Sequence, residues 1–70
     1  RIIGKKGDLL SLFPLLASAE GVRTENLYYP LRGETLRFGR PRGISNVLLD
    51  KEARVSLDSG LLLIVHTTVS

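Results

Sequence analysis

Ala53-Arg54-Val55-Ser56-Leu57-Asp58, Ser59-Gly60 and Leu61-Leu62-Leu63-Ile64-Val65 form the stretch that decides the fold of this seventy-residue chain. In its first part apolar and polar residues alternate, so Ala53, Val55 and Leu57 fall on one face. That is the period-two signature of a half-buried strand. Ser59-Gly60 turns the chain. Leu61 to Val65 is apolar on both faces, so this strand is expected to be central or covered on its second side by another subunit.

Upstream, Val47-Leu48-Leu49 reads as a strand, and Asp50-Lys51-Glu52 as the polar tip that joins it to Ala53. Thr35 to Phe38 is a short extended piece preceded by a turn at Arg32-Gly33-Glu34. Leu27-Tyr28-Tyr29-Pro30-Leu31 mixes aromatic and apolar residues, with Pro30 marking an edge or bend. Asn26 is expected at a left-handed turn position, which asparagine tolerates best after glycine. Val22 to Glu25 is extended, and Ala17 to Gly21 reads as a small-residue connection. From Asp8 to Leu16 two readings compete. Asp8 is a good helix cap and leucine a good helix former. Pro14 would then fall inside the helix at a cost of ~3 kcal/mol, so a buried strand that ends or bulges at the proline is preferred. Arg1-Ile2-Ile3 is a strand end, and Gly4-Lys5-Lys6-Gly7 the turn after it. Short strands at this spacing predict an all-β sandwich or barrel.

Seventy residues allow one domain, and such a chain buries only ~60% of the surface its unfolded form exposes. Small cores need a staple. The chain has no cysteine, which excludes disulfides and thiolate metal sites and is compatible with a reducing cytosol. His66 is its single histidine, which argues against a histidine-based metal cluster. Oligomerisation or a companion domain is the expected staple, and a chain that starts at Arg1 reads as a piece of something longer. The formal charge of +3 comes from dispersed arginines and lysines, which is not a nucleic-acid stripe. The apolar run from Leu61 to Val65 is far too short to span a membrane.

Several motifs offer chemistry. Ile3-Gly4-Lys5-Lys6-Gly7 has the spacing of the glycine-flanked loop by which the KH module clamps a nucleic-acid backbone. Only three residues precede it, however, and Pro14 interrupts the helix that should follow, so a lysine-tipped hairpin turn is the favoured reading. It is not a P-loop, since no Lys-Ser or Lys-Thr pair follows Gly7. Asp50-x-Glu52 lies at a hairpin tip and reads as solvated, and the other acids lack ligand spacing. His66 reads as a rim residue. With no glycine-flanked serine of the hydrolase kind and no second histidine as base, these residues alone do not make an enzyme. Tyr28 and Tyr29 are adjacent, so a strand would point them to opposite faces. Between Phe38 and Asn46, Gly39, Pro41 and Gly43 make a tight loop that delivers Ser45 and Asn46 to the lip of the apolar Val47-Leu48-Leu49. Taken alone, the pair is ordinary turn chemistry and Arg40 and Arg42 are solvated charges.

In order along the chain, these segments resemble the C-terminal, thiamine-binding domain of the thiamine pyrophosphokinase family. The residues that carry the resemblance are Gly4-Lys5-Lys6-Gly7-Asp8 with Ser11-Leu12-Phe13-Pro14-Leu15, and Gly21-Val22-Arg23-Thr24 with Leu27-Tyr28-Tyr29-Pro30-Leu31. They continue through Thr35 to Gly39, Arg42-Gly43-Ile44-Ser45-Asn46, Ala53 to Leu57 and Ser59 to Leu63. The resemblance implies a small antiparallel β-sandwich that dimerises, with thiamine in a cleft between subunits. The family's enzyme transfers a pyrophosphoryl group from ATP to thiamine, giving thiamine diphosphate and AMP. Its ATP and Mg²⁺ are held by an N-terminal domain that nothing here matches, so this chain is expected to hold neither and to be inactive alone. The implied partners are thiamine, a second copy and that N-terminal domain in the cytoplasm, with no nucleic acid and no membrane. The family's Ser-Asn pair falls on Ser45 and Asn46, and the aromatic of its Gly-Leu-x-aromatic motif on Tyr29. Ser45 and Asn46 are expected to read the aminopyrimidine edge, since hydroxyl and amide groups offer both donors and acceptors. Gly43 and Ile44 would let the backbone approach. Two positions depart from the family: Asn26 stands for a common glycine and Tyr28 for a common lysine. The competing readings are a KH-like nucleic-acid-binding module and a purely structural dimerisation domain.

Overall fold

Pro14 marks the strand on which the molecule is built. The computed structural model describes residues 1–39 and 44–69. Its strands are β1 (Ile2–Ile3), β2 (Leu9–Glu25), β3 (Arg32–Leu36), β4 (Ile44–Val47), β5 (Glu52–Ser56) and β6 (Ser59–Thr67). All pairings are antiparallel, and no helix occurs among the described residues. β2 is 17 residues long and touches four other strands. Its first half, Leu9 to Leu15, lies between β4 and β6. Its second half lies between β3 and β5, and β1 adds to β5. Apolar residues of both halves meet in one core of Leu10, Leu12, Ala19, Val22, Leu27, Leu36, Leu48 and Ala53. The all-β antiparallel expectation therefore holds.

The change of partners needs a break in the strand, and the backbone provides it between Leu15 and Glu20, where the β2–β6 register shifts. Leu16 has φ 67° and Gly21 φ 67°, left-handed values that turn the strand from one sheet portion into the other. Pro14 sits just before this break, opposite Leu62 of β6. Pairing with β4 stops at Leu12, so among the described residues Pro14 has a strand neighbour on one side only. A missing N–H is tolerated there. Strand rather than helix is confirmed from Leu9 to Leu16, with Asp8 in the turn before it, and the bulge follows the proline.

Four sequence expectations are corrected. Ser59-Gly60 does not turn the chain but opens β6, and Ser45-Asn46 lie in β4 rather than in a loop. Ala17 to Gly21 is not a connection but the middle of β2, with Ala19 fully buried opposite Leu36. Arg32-Gly33-Glu34 is not a turn but the start of β3, with Arg32 opposite Arg23 and Glu34 opposite Val22. Gly33, at φ 94°, is the extra residue of a bulge between those pairs. Small and turn-forming residues mark bulges here, and bulges carry the same composition as loops. Asn26 does adopt φ 63°. Ala53 is buried and Val55 and Leu57 pack against the core, as the alternation requires.

Among the described residues nothing covers the opposite face of the β4–β2–β6 portion. Cross-strand register places Ser11 beside Val65, Phe13 beside Leu63 and Leu15 beside Leu61. Phe13, Leu15, Leu61, Leu63, Val65 and neighbouring Leu9 are all exposed, between 38% and 55%.

Replacing fully buried Leu12 by alanine is expected to cost about 2–5 kcal/mol. That is a large part of the stability of a small domain. Urea unfolding followed by far-ultraviolet circular dichroism would show a collapsed midpoint for Leu12→Ala. Thr68→Ala, on an exposed residue, should stay within about 0.5 kcal/mol of the parent.

Candidate functional site

Polar groups converge at the edge of β4. Along this strand Ser45 is exposed and Asn46 is buried, 1% accessible, as the pleat dictates. The segment from Asn26 to Tyr29 runs beside it. Tyr28 N–H donates to the Val47 carbonyl at 2.9 Å, Leu49 N–H to the Asn26 carbonyl at 2.9 Å, and Leu27 bridges Leu48. The Asn46 amide completes the junction. Its Oδ1 accepts from Tyr29 N–H at 2.8 Å and from Val47 N–H at 3.0 Å, and its Nδ2 donates to the Tyr29 carbonyl at 2.6 Å. Beyond Pro30, Leu31 N–H donates to Thr24 Oγ1 at 2.9 Å and Thr24 N–H to the Leu31 carbonyl at 3.0 Å. The tyrosine segment is thus tied at both ends.

Tyr28 and Tyr29 are 61% and 59% exposed, with ring centroids 4.7 Å apart and planes at 78°. They do not take opposite faces of a strand, because the segment pairs only through backbone bridges and strand alternation does not apply. Edge-to-face contact is a favoured arrangement for two rings. The result is a small aromatic surface on the segment that Asn46 ties to β4. The structure brings Tyr29 and Asn46 together, with Ser45 next along the strand. Gly43 lies outside the described residues, with Arg40 and Arg42, and only the backbone pairing of Ile44, opposite Leu12, is described.

A second polar cluster joins the chain's beginning to its end. Asp8, with no exposed surface, has Oδ2 2.7 Å from His66 Nε2 and 2.9 Å from the Lys5 N–H that donates to it. Its Oδ1 accepts from Val69 N–H at 3.3 Å. Asp8 N–H returns a bond to the Lys5 carbonyl at 3.0 Å, closing a turn with Gly7 at φ 95°. Gly4 lies against the pair, and a Cβ there would fall 2.7 Å from both Asp8 Oδ2 and His66 Nε2. The Gly-Lys-Lys-Gly segment is therefore a turn organised by Asp8. Strand β2 follows it where the KH module has a helix, so the nucleic-acid reading loses its basis. The sequence cast His66 as a rim residue and missed its partner, 58 positions away. The glycine demanded at position 4 was the only local signal.

An open cleft of about 530 Å³ is lined by Arg1, Arg23, Glu25, Arg54, Val55 and Ser56. Its arginines are ion-paired: Arg1 Nε lies 2.7 Å from Glu52 Oε1, and Arg23 Nη1 3.0 Å from Asp58 Oδ1. With those arginine side chains 66% and 55% exposed, this is a solvated charged face rather than a built site. Asp50 caps its own turn through Lys51 N–H at 2.8 Å. Among the described residues no three metal-ligating side chains come together.

Fold and cluster define the class: a small antiparallel all-β domain with a junction of polar and aromatic groups at β4. The model of the thiamin pyrophosphokinase vitamin B1 binding domain matches residues 2–62, and the chain belongs to that family. No curated protein and no solved structure matches it. The matched span contains Tyr28, Tyr29, Ser45, Asn46 and Asp8 but ends before His66.

The hydrogen bonds from His66 and from Lys5 N–H hold the Asp8 carboxyl below its ordinary value of 3.8. A depressed carboxylate contributes stability above its unfolded value, and that contribution is lost as pH falls through the lower folded value. The parent protein is therefore expected to lose thermal stability as pH drops below 3.8. Asp8→Asn should be weaker at neutral pH and lose less on acidification. An unchanged acid limb in the variant would contradict the assignment.

Proposed function

We propose that this chain binds thiamine as the acceptor-substrate domain of a thiamin pyrophosphokinase. Family membership carries the proposal. The cluster at β4 supports it, because thiamine needs two kinds of recognition. Its aminopyrimidine edge presents donors and acceptors, which the exposed Ser45 hydroxyl can meet in either role. Its rings and its positive charge suit the faces of Tyr28 and Tyr29. Ser45, Asn46 and Tyr29 form the proposed site, with Gly43 and Ile44 as the backbone against which the ligand lies.

In the whole enzyme the reaction is transfer of a pyrophosphoryl group from ATP to the thiamine hydroxyl, in the cytoplasm, with ATP and Mg²⁺ on a separate N-terminal domain. The residues of this chain do not fit the Mg²⁺, since its acids stand singly or in ion pairs among the described residues. Its contribution is to bind thiamine and orient the hydroxyl. Among the described residues no helix is long and apolar enough to cross a membrane. The uncovered face of Leu9, Phe13, Leu15, Leu61, Leu63 and Val65 supports a homodimer, in which a second copy removes it from water. Leu63→Glu is expected to convert dimers to monomers in sedimentation, and a monomeric parent would contradict this element.

Calorimetric titration with thiamine tests the binding reading. Saturable heat is expected from the parent, and Ser45→Ala should weaken binding about five- to tenfold, the worth of one hydrogen bond. Ser45 is exposed, so its loss should leave the unfolding midpoint in place. No saturable heat from a folded dimer would favour a purely structural domain. Salt-dependent RNA binding in its place would restore the nucleic-acid reading.

A further inference from the structure

We infer that Asn46 is a positioning residue: its amide fixes the Tyr29 peptide and so aims the tyrosine ring, and it does not itself touch the ligand. This rests on the thiamine reading and assigns one residue's part in it.

Burial comes first. Asn46 is 1% exposed and stands opposite Leu10, which has no exposed surface, so its side chain points into the core-facing side of β4. Ser45 is the neighbour that faces out. Bonding comes second. The amide meets both backbone groups of Tyr29, accepting from its N–H at 2.8 Å and donating to its carbonyl at 2.6 Å. Only one orientation of the amide satisfies both, because the flipped one sets donor against donor and acceptor against acceptor. Asn46 thus supplies what a neighbouring strand would supply, at a point where, among the described residues, Tyr29 has no strand beside it. Oδ1 is also held by Val47 N–H. One Nδ2 hydrogen is left, inside the protein, and a ligand could reach it only by displacing the tyrosine segment that Asn46 holds.

The consequence lies with the rings. Tyr28 and Tyr29 are more than half exposed and meet each other edge to face, so the placement of their backbone decides where that ring pair stands. Tyr28 is held through its own N–H on the Val47 carbonyl, and the far end of the segment by Thr24. Asn46 is the remaining tie, and it lies on Tyr29.

The chain has two asparagines, Asn26 and Asn46, and no glutamine, so a ¹⁵N spectrum of the intact protein shows two side-chain amide pairs. The Asn26 amide is on an exposed residue, donating to the Glu52 carbonyl at 3.1 Å. Without ligand, the Asn46 pair is expected to exchange with D₂O more slowly than the Asn26 pair. With saturating thiamine, transferred magnetisation should link thiamine to the Tyr29 ring and leave the Asn46 amide protons unlinked. Equal exchange of the two pairs, or a direct thiamine–Asn46 link, overturns the inference. Failure of thiamine to bind, with the Asn46 pair still protected, overturns the thiamine reading and leaves the Tyr29 clamp standing. Affinity gives an independent readout. Asn46→Ala, or Asn46→Ser should alanine not fold, is expected to weaken thiamine and an analogue lacking the pyrimidine amino group by the same factor, about tenfold. A loss seen with thiamine and absent with the analogue would mean that Asn46 reads the ligand edge directly.

Discussion

One strand holds the molecule together. β2 supplies a pairing edge to β3, β4, β5 and β6, and its residues Leu10, Leu12, Ala19 and Val22 form half of the buried apolar core. A single strand can serve two sheet portions only if it bends, and the bend falls at Leu15 to Glu20, with left-handed backbone at Leu16 and Gly21. Bulges of this kind redirect a strand without ending it. Leu16 is 81% exposed at that corner, the most among the large apolar residues whose exposure is described. A non-glycine residue at positive φ stores strain, which the pairing on either side must offset.

The site inherits its geometry from this arrangement. β4 is pinned against the first half of β2, Leu9 to Leu12, which fixes Asn46 inward and Ser45 outward. The second half of β2 ends at Glu25, and the chain leaves it through left-handed Asn26 directly toward Leu48. The tyrosine segment therefore meets β4 because both ends of one strand decide where their neighbours begin. Asp8 and His66 close the other end, tying the turn before β2 to the end of β6. Two kinds of surface are separate here. The Asp8 cluster is built of buried polar bonds, while the tyrosine surface is left open to solvent.

The local signals were legible in the sequence. Alternation at Ala53, Val55 and Leu57, the left-handed Asn26, and the interruption of any helix by Pro14 each follow from one residue's stereochemistry. The apolar character of Leu61 to Val65 on both faces was legible too, and the structure leaves that strand's second face open. What the sequence hid depends on distant pairing. Ala17 to Gly21 and Arg32 to Glu34 have loop composition because they carry bulges, and only the opposing strand makes them strands. The Asp8–His66 contact spans 58 residues, and the Asn46–Tyr29 clamp spans 17. The Ser-Asn pair could be picked out by resemblance, but residue type alone could not divide it into one exposed and one buried partner. The pleat of β4 makes that division.

The most direct measurement is a backbone chemical-shift map of the protein titrated with thiamine. The account predicts saturable shifts concentrated at Leu27 to Leu31 and Ser45 to Leu49, with the Gly4 to Asp8 turn and the cleft of Arg1, Arg23 and Arg54 left unmoved. Shifts confined to that cleft or that turn, or no saturable shift at all, would contradict it.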